Sequence, residues 1–142
     1  MKKFKSSSER KTRRIGRFIA KKLRKGDIVC LNGPLGAGKT LLTKAIAGYF
    51  GINENIIKSP TYTYLRLYTA YNGIKIYHYD LYRIEVLDDY MKDQINEYFS
   101  LKDTISLIEW PQKIMEIIPQ KIINIEIELL NAKKRYIKIH GL

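Results

Sequence analysis

Residues Gly33, Gly38, Lys39 and Thr40 stand in the spacing G-x-x-x-x-G-K-[ST], in the segment Gly33-Pro34-Leu35-Gly36-Ala37-Gly38-Lys39-Thr40. Glycines let a backbone curl until successive N–H groups converge on phosphate oxygens, and a helix start behind the loop adds positive partial charge. In such a loop Lys39 reaches the β- and γ-phosphates, and the Thr40 hydroxyl holds Mg²⁺. The chemistry offered is recognition of a nucleoside triphosphate. A Gly-rich turn with a solvated lysine is the plain alternative, and the surrounding elements weigh against it.

Hydrolysis or transfer of a phosphoryl group also needs a carboxylate near the metal, since Mg²⁺ is held by one or two carboxylates plus phosphates and waters. Asp80 and Glu109 qualify, because each follows a predicted strand, at the end where α/β sheets build sites. The run before Glu109, Thr104 to Ile108, is continuous and largely apolar, as a buried parallel strand is. A single acid after a strand is as readily a cap or an ion-pair partner. Two of them beside a phosphate loop favour the metal, and spacing leaves open which is ligand and which is base. Ser59 to Thr63 gathers hydroxyls on a loop entering a strand, either a segment that senses the γ-phosphate or a proline-fixed turn. His78 reads as a packed or hydrogen-bonded strand residue. With one cysteine and two scattered histidines, no zinc spacing exists.

The elements that must position these groups follow from periodicity. Asp27 to Leu31 forms an apolar strand ahead of the loop, and a helix from Lys39 to Phe50 follows it, stopped by Gly51. An earlier helix spans Glu9 to about Arg24, with Ile15, Phe18, Ile19 and Leu23 on one face, Ser8 as N-cap and Gly26 as terminator. Residues 1–8 read as a short flexible basic arm. Two Tyr-rich strands, Thr61 to Tyr68 and Ile74 to Tyr79, flank the turn signal Asn72-Gly73 and pair as an antiparallel hairpin. Glu85 to Tyr98 looks helical with weak patterning. Strands over about 122–129 and 136–140 close the chain. The whole, residues 1–142, reads as one α/β domain.

Bulk properties set limits. The 142 residues are 45% hydrophobic and 28% charged, the balance of a globular protein. Cys30 has no partner for a disulfide and behaves as a small core residue. The basic N-terminus lacks the apolar stretch of a signal peptide, and no run reaches membrane-spanning length, so a cytoplasmic protein without membrane attachment is expected. The formal net charge is +12. Much of it lies between Lys2 and Lys25, with Glu9 the only acid there. An electrostatic footprint for RNA is one reading. A solvated face, produced by a general drift toward Lys, Ile, Asn and Tyr, is the reading favoured by composition.

In order along the chain come LGAGKT, SPTYT, HYDLYR (His78 to Arg83) and IEWP (Ile108 to Pro111). Together these resemble the TsaE (YjeE) family of bacterial tRNA threonylcarbamoyladenosine biosynthesis, across nearly the full length. The resemblance implies a three-layer P-loop NTPase fold with a mixed, partly parallel sheet, and a slow Mg²⁺-dependent ATPase acting with TsaB and TsaD on ANN-decoding tRNAs. Contact with tRNA would be indirect, through that complex. It further implies that Lys39 and the loop from Leu35 to Leu41 bind ATP, that Thr40 and Glu109 are the Mg²⁺ ligands, and that Asp80 is a supporting or catalytic acid. Trp110 would sit close to the nucleotide, Thr12 and Arg135 would border the adenosine or phosphates, and Ser59–Thr63 becomes switch-like. Pro34 departs from the acid often found after the first loop glycine, Gln112 from the acid that commonly follows EWP, and Glu85–Phe99 from the family's usual pattern. A small P-loop kinase and a basic RNA-binding module with a regulatory nucleotide site are the rival readings.

Overall fold

The computed structural model describes residues 1–58 and 63–142. Seven strands form one sheet: β1 (Lys2–Ser6), β2 (Ile28–Asn32), β3 (Leu65–Thr69), β4 (Lys75–Asp80), β5 (Thr104–Glu109), β6 (Ile123–Leu129) and β7 (Arg135–His140). Their spatial order is β1-β7-β6-β2-β5-β4-β3. The central pairs β6–β2, β2–β5 and β5–β4 are parallel, whereas β3–β4, β6–β7 and β1–β7 are antiparallel. Three α-helices complete the fold: α1 (Glu9–Ala20), α2 (Lys39–Tyr49) and α3 (Asp89–Phe99).

Side chains alternate across a strand, so each central strand feeds two cores. Val29 and Leu31 of β2, Ile105 and Leu107 of β5, and Ile76 of β4 join Ile19 of α1 and Leu42 and Ile46 of α2 in one cluster. Ile28, Cys30, Tyr77, Tyr79 and Ile108 face the other way, onto Ile95 of α3. Three layers result, with α1 and α2 on one face and α3 on the other. Two helices can lie close on the first face because Gly16 has no side chain. A Cβ there would lie 2.5 Å from the Cβ of Ala45.

The mixed sheet, the parallel centre and the Tyr-rich hairpin agree with the sequence reading. Several boundaries do not. Residues 2–6 are an edge strand rather than a flexible arm. Phe4 packs on Phe18 with ring centroids 5.4 Å apart, and Ser6 Oγ lies 2.8 Å from Thr12 Oγ1. The β7 ladder supplies backbone partners that a Lys-rich pentapeptide does not advertise, and lysines on an edge discourage further pairing. Helix α1 ends at Ala20, short of Arg24, whose N–H instead bonds Asp27 Oδ2 at 2.7 Å. Ser8 does cap α1, accepting from Lys11 N–H at 3.1 Å. Helix α3 begins at Asp89, where Asp88 Oδ1 accepts from Met91 N–H at 2.8 Å. That cap, rather than the acid-rich composition upstream, sets its start.

Candidate active site

Parallel pairing brings the C-terminal ends of β2, β4 and β5 to one side of the sheet. In register, Leu31 neighbours Glu109, and Glu109 neighbours Asp80. The loop after β2 and the start of α2 stand beside these acids. Between them lies a cavity of about 590 Å³ lined by Leu35 to Leu41, Asp80, Glu109 and Trp110. Thr63, Tyr64 and the Tyr82–Ile84 segment complete the wall. A volume of that size lies in the range of small-ligand pockets.

The loop's conformation depends on glycine where φ is positive. Gly38, with φ 105°, serves as the α2 N-cap and, having no side chain, makes no cap bond of its own to the first turn of the helix. Gly36 has φ 77° and open space where a Cβ would stand. These are conditions for a backbone anion cradle at a helix N-terminus.

Lys39 opens α2 and is 5% exposed. Its ammonium donates to Gly33 O at 2.6 Å and Pro34 O at 2.9 Å, and it lies 4.2 Å from the centre of the Trp110 ring. Burial pulls the Lys39 pKa below its ordinary value, while the Glu109 and Asp80 charges oppose that shift. The ammonium is therefore a desolvated cation that a phosphate oxygen can recruit from two loop carbonyls. Pro34, lacking an N–H, still contributes through its carbonyl.

Glu109 is 2% exposed. Its Oε1 accepts from Thr40 Oγ1 at 3.2 Å and Thr43 Oγ1 at 3.4 Å, and its Oε2 lies 3.3 Å from Thr40 Oγ1. His78 Nε2 is 3.0 Å from Oε1. A carboxylate only accepts, so Nε2 donates, and Nδ1 stays buried without a partner among the described residues. No lysine or arginine lies in salt-bridge reach of Glu109 among the described residues. Asp80 is half-buried, and its Oδ1 accepts from Tyr82 N–H at 3.1 Å, which folds the following segment back along the cavity. Lys113 Nζ then holds that segment through Tyr82 O at 3.1 Å and Ile84 O at 2.5 Å.

Trp110 is the only non-glycine among the described residues with positive φ, at φ 61° and ψ 51°. Such a conformation costs on the order of 1–3 kcal/mol and tends to collect at functional sites. Here it turns the chain off β5 so that the indole faces Lys39 and packs on Tyr82, ring centroids 4.9 Å apart.

Of the residues singled out in the sequence, Leu35, Gly36, Ala37, Gly38, Lys39, Thr40, Leu41, Asp80, Glu109 and Trp110 meet at this cavity. Two do not line it. Thr12 is buried on α1, its hydroxyl bonded to Ser6 Oγ and Ser8 O. Arg135 lies behind the loop, where Nη1 donates to Ala37 O at 2.6 Å; a Cβ at position 38 would come 2.5 Å from that nitrogen. In each case a neighbouring element takes up the polar group, Arg135 on the loop itself and Thr12 at the β1–α1 junction. Ser59 to Tyr62 lie outside the described residues, and Thr63 reaches the cavity. Sequence reasoning left out the Thr43–Glu109 contact, which the i, i+3 spacing of Thr40 and Thr43 on one helix would have signalled.

The donor set suits a hard divalent ion completed by phosphate and water. Among the described residues no three His, Cys, Asp or Glu side chains cluster as a metal cage, so Thr40 and the buried Glu109 would supply at most part of a coordination sphere.

Comparison with known proteins agrees with this geometry. Residues 6–137 match the family described as threonylcarbamoyl adenosine biosynthesis protein TsaE. The tRNA threonylcarbamoyladenosine biosynthesis protein TsaE of Rickettsia conorii is 39% identical over 134 residues, covering 94% of this chain and 74% of that protein. The Bacillus subtilis protein of the same name is 35% identical over 135 residues, covering 95% and 82%. The crystal structure of YdiB from Bacillus subtilis superposes with a TM-score of 0.78 at 30% identity, over 97% of this chain and 83% of that one. A glycine-rich loop at the head of α2, two acids at adjacent strand ends and a family match over nearly the whole sequence converge: the chain belongs to the TsaE family of tRNA threonylcarbamoyladenosine biosynthesis.

Proposed function

We propose that this protein is a cytoplasmic, single-domain Mg²⁺-dependent ATPase that serves threonylcarbamoyl modification of the adenosine beside the anticodon in ANN-decoding tRNAs, acting with TsaB and TsaD. The observation that carries the reading is the buried Glu109 carboxylate, held against Thr40 at the head of the phosphate loop with no lysine or arginine in salt-bridge reach among the described residues. Burying a carboxylate with hydrogen-bond donors but no lysine or arginine partner is costly, and a site that receives a cation offsets that cost on binding.

Each residue then has a task. Loop N–H groups between Leu35 and Leu41, other than that of Ala37, which donates to Pro34 O at 3.0 Å, bind the phosphate chain together with the α2 dipole. Lys39 moves from its loop carbonyls to a phosphate oxygen and neutralises charge there. Thr40 and Glu109 would hold the Mg²⁺, with His78 and Thr43 fixing the carboxylate's rotamer. The metal, when bound, supplies Lewis-acid polarisation of the phosphate oxygens. Asp80, across the cavity and partly open to water, orients or deprotonates the attacking water. Trp110 and the Tyr82–Ile84 segment narrow the site and exclude bulk water. Hydrolysis here supports repeated cycles of the modifying complex and does not itself attach the threonylcarbamoyl group.

The test mixes the protein with purified TsaB and TsaD and follows phosphate release with and without them. Stimulated turnover that disappears in Lys39→Ala is the expected result. Phosphoryl transfer to a small acceptor, with no partner-dependent hydrolysis, would overturn the proposal. Trp110 is the single tryptophan, so its fluorescence reports nucleotide entry independently of turnover.

A further inference from the structure

Charge in this chain is concentrated, not spread. Twelve of the 26 lysines and arginines, but one of the 14 acids, fall within residues 1–25, so this segment holds +11 of the formal +12. The remaining 117 residues are nearly neutral. A general compositional drift would not divide the charge this way. Because β1 and α1 fold against each other, the cations of residues 2–17 share that side of the molecule, whereas Lys25, in the turn before β2, reaches Asp103. Among the described residues, only Arg13 and Lys25 of the twelve have a carboxylate in ion-pair reach, Glu54 and Asp103.

Where β1 meets α1 there is a second concavity, of about 330 Å³, lined by Phe4, Lys5, Lys11, Arg14, Ile15 and Phe18. It shares no residue with the nucleotide cavity. Its floor includes the half-buried Phe4–Phe18 pair, tilted by 59°, and its rim carries three exposed cations without acidic partners among the described residues. Lys2 Nζ already lies 5.1 Å from the Phe18 ring centre, so these ring faces attract cations and are accessible from the basic side.

We propose that this groove binds single-stranded RNA, with Lys5, Lys11 and Arg14 on successive phosphates and a base against Phe4 and Phe18. Aromatic platforms beside a cationic track are the physical means by which unpaired strands are held. The family's work on tRNA supplies such a ligand in a loop whose bases are unstacked. An acidic membrane surface fits less well. The apolar residues Ile15, Ile19 and Ala20 of α1 are buried against the rest of the fold, which leaves no continuous apolar face to enter lipid.

The test uses the full chain and a fluorescein-labelled single-stranded RNA dodecamer, titrated by anisotropy at several salt concentrations. Three phosphate contacts at about −0.7 each predict that log affinity falls with log salt with a slope of about −2. The Lys5→Gln/Lys11→Gln/Arg14→Gln variant should bind at least tenfold more weakly with a slope near zero. Phe4→Leu should weaken binding severalfold while keeping the slope. The triple variant should retain the urea midpoint, and both variants should retain the Trp110 response to ATP, so failure here is distinguishable from failure at the nucleotide site. Triple-variant binding within twofold of the parent would overturn the proposal. So would a duplex of the same sequence binding as tightly as the single strand, or displacement of RNA by polyglutamate or phosphatidylserine vesicles at equal charge.

Discussion

Glu109→Gln is nearly isosteric, so the Thr40, Thr43 and His78 contacts can largely persist while the charge is lost. Nucleotide should still quench or shift Trp110 emission, whereas Mg²⁺-dependent turnover should fall on the order of 100-fold. If Asp80→Asn gives that loss and Glu109→Gln does not, the two acids exchange roles. Cys30 allows a second prediction from a single side chain. Burial in β2 pushes its thiol from 9.0 up to about 12, so the fold favours the protonated form. The stability this gives is complete below pH 9 and is lost as pH rises from 9 toward 12, with a slope approaching about 1.4 kcal/mol per pH unit. Urea unfolding followed from pH 8 to 11 should show stability level below pH 9 and falling above it, and Cys30→Ala should make that fall shallower. Tyr79, also raised by burial, adds a loss in the same direction above pH 10. At this scale most of the site was legible, because G-x-x-x-x-G-K-T is a local pattern and Asp80 and Glu109 end strands. The internal partners of Thr12 and Arg135 were not, since which neighbour a polar group meets depends on what folds against it.

Helices and strands follow their periodicity where apolar spacing is strong, as in β2, α2 and β5. They depart from it at ends, where a single cap decides the boundary: Asp88 starts α3 four residues after the acid-rich stretch begins. The α1–α2 pair carries a sharper prediction. Gly16→Ala gains helix propensity of about 1 kcal/mol, yet its Cβ would meet Ala45 Cβ at 2.5 Å. Overpacking of that kind costs about 1–3 kcal/mol. We expect a net fall in the urea midpoint, partly restored by adding Ala45→Gly. A rise in the midpoint for Gly16→Ala alone would show that the helices separate freely. The loop element offers a parallel case, because Gly38→Ala would combine a φ of 105° with a 2.5 Å approach to Arg135. Nucleotide affinity should drop there even where the fold survives, read by Trp110 titration.

For the whole molecule, the unexpected element is β1. Deleting residues 1–6 removes the β7 partner, the Phe4–Phe18 contact and the Ser6–Thr12 bond. The prediction is lower stability together with concentration-dependent association through the uncovered β7 edge, measured by urea melts and light scattering. An unchanged melt would mean that the sheet closes adequately at β7. The same strand gathers the basic residues of α1 and β1 to one edge, far in the sheet order from the hairpin strand β3.

The sequence by itself determined the phosphate loop, its strand–loop–helix setting, the two acids, the α/β class and, through four motifs in order, the family. Those are local or linear properties: hydrophobic period, glycine placement and motif succession. Tertiary structure decided which groups actually meet. Parallel register set Asp80 beside Glu109, a left-handed turn aimed Trp110 at Lys39, and His78 was drawn onto the carboxylate from the neighbouring strand. It also spent Thr12 and Arg135 on internal contacts and turned a lysine-rich leader into a sheet edge. Contacts between residues tens of positions apart are fixed by packing and pairing, and no linear pattern encodes them.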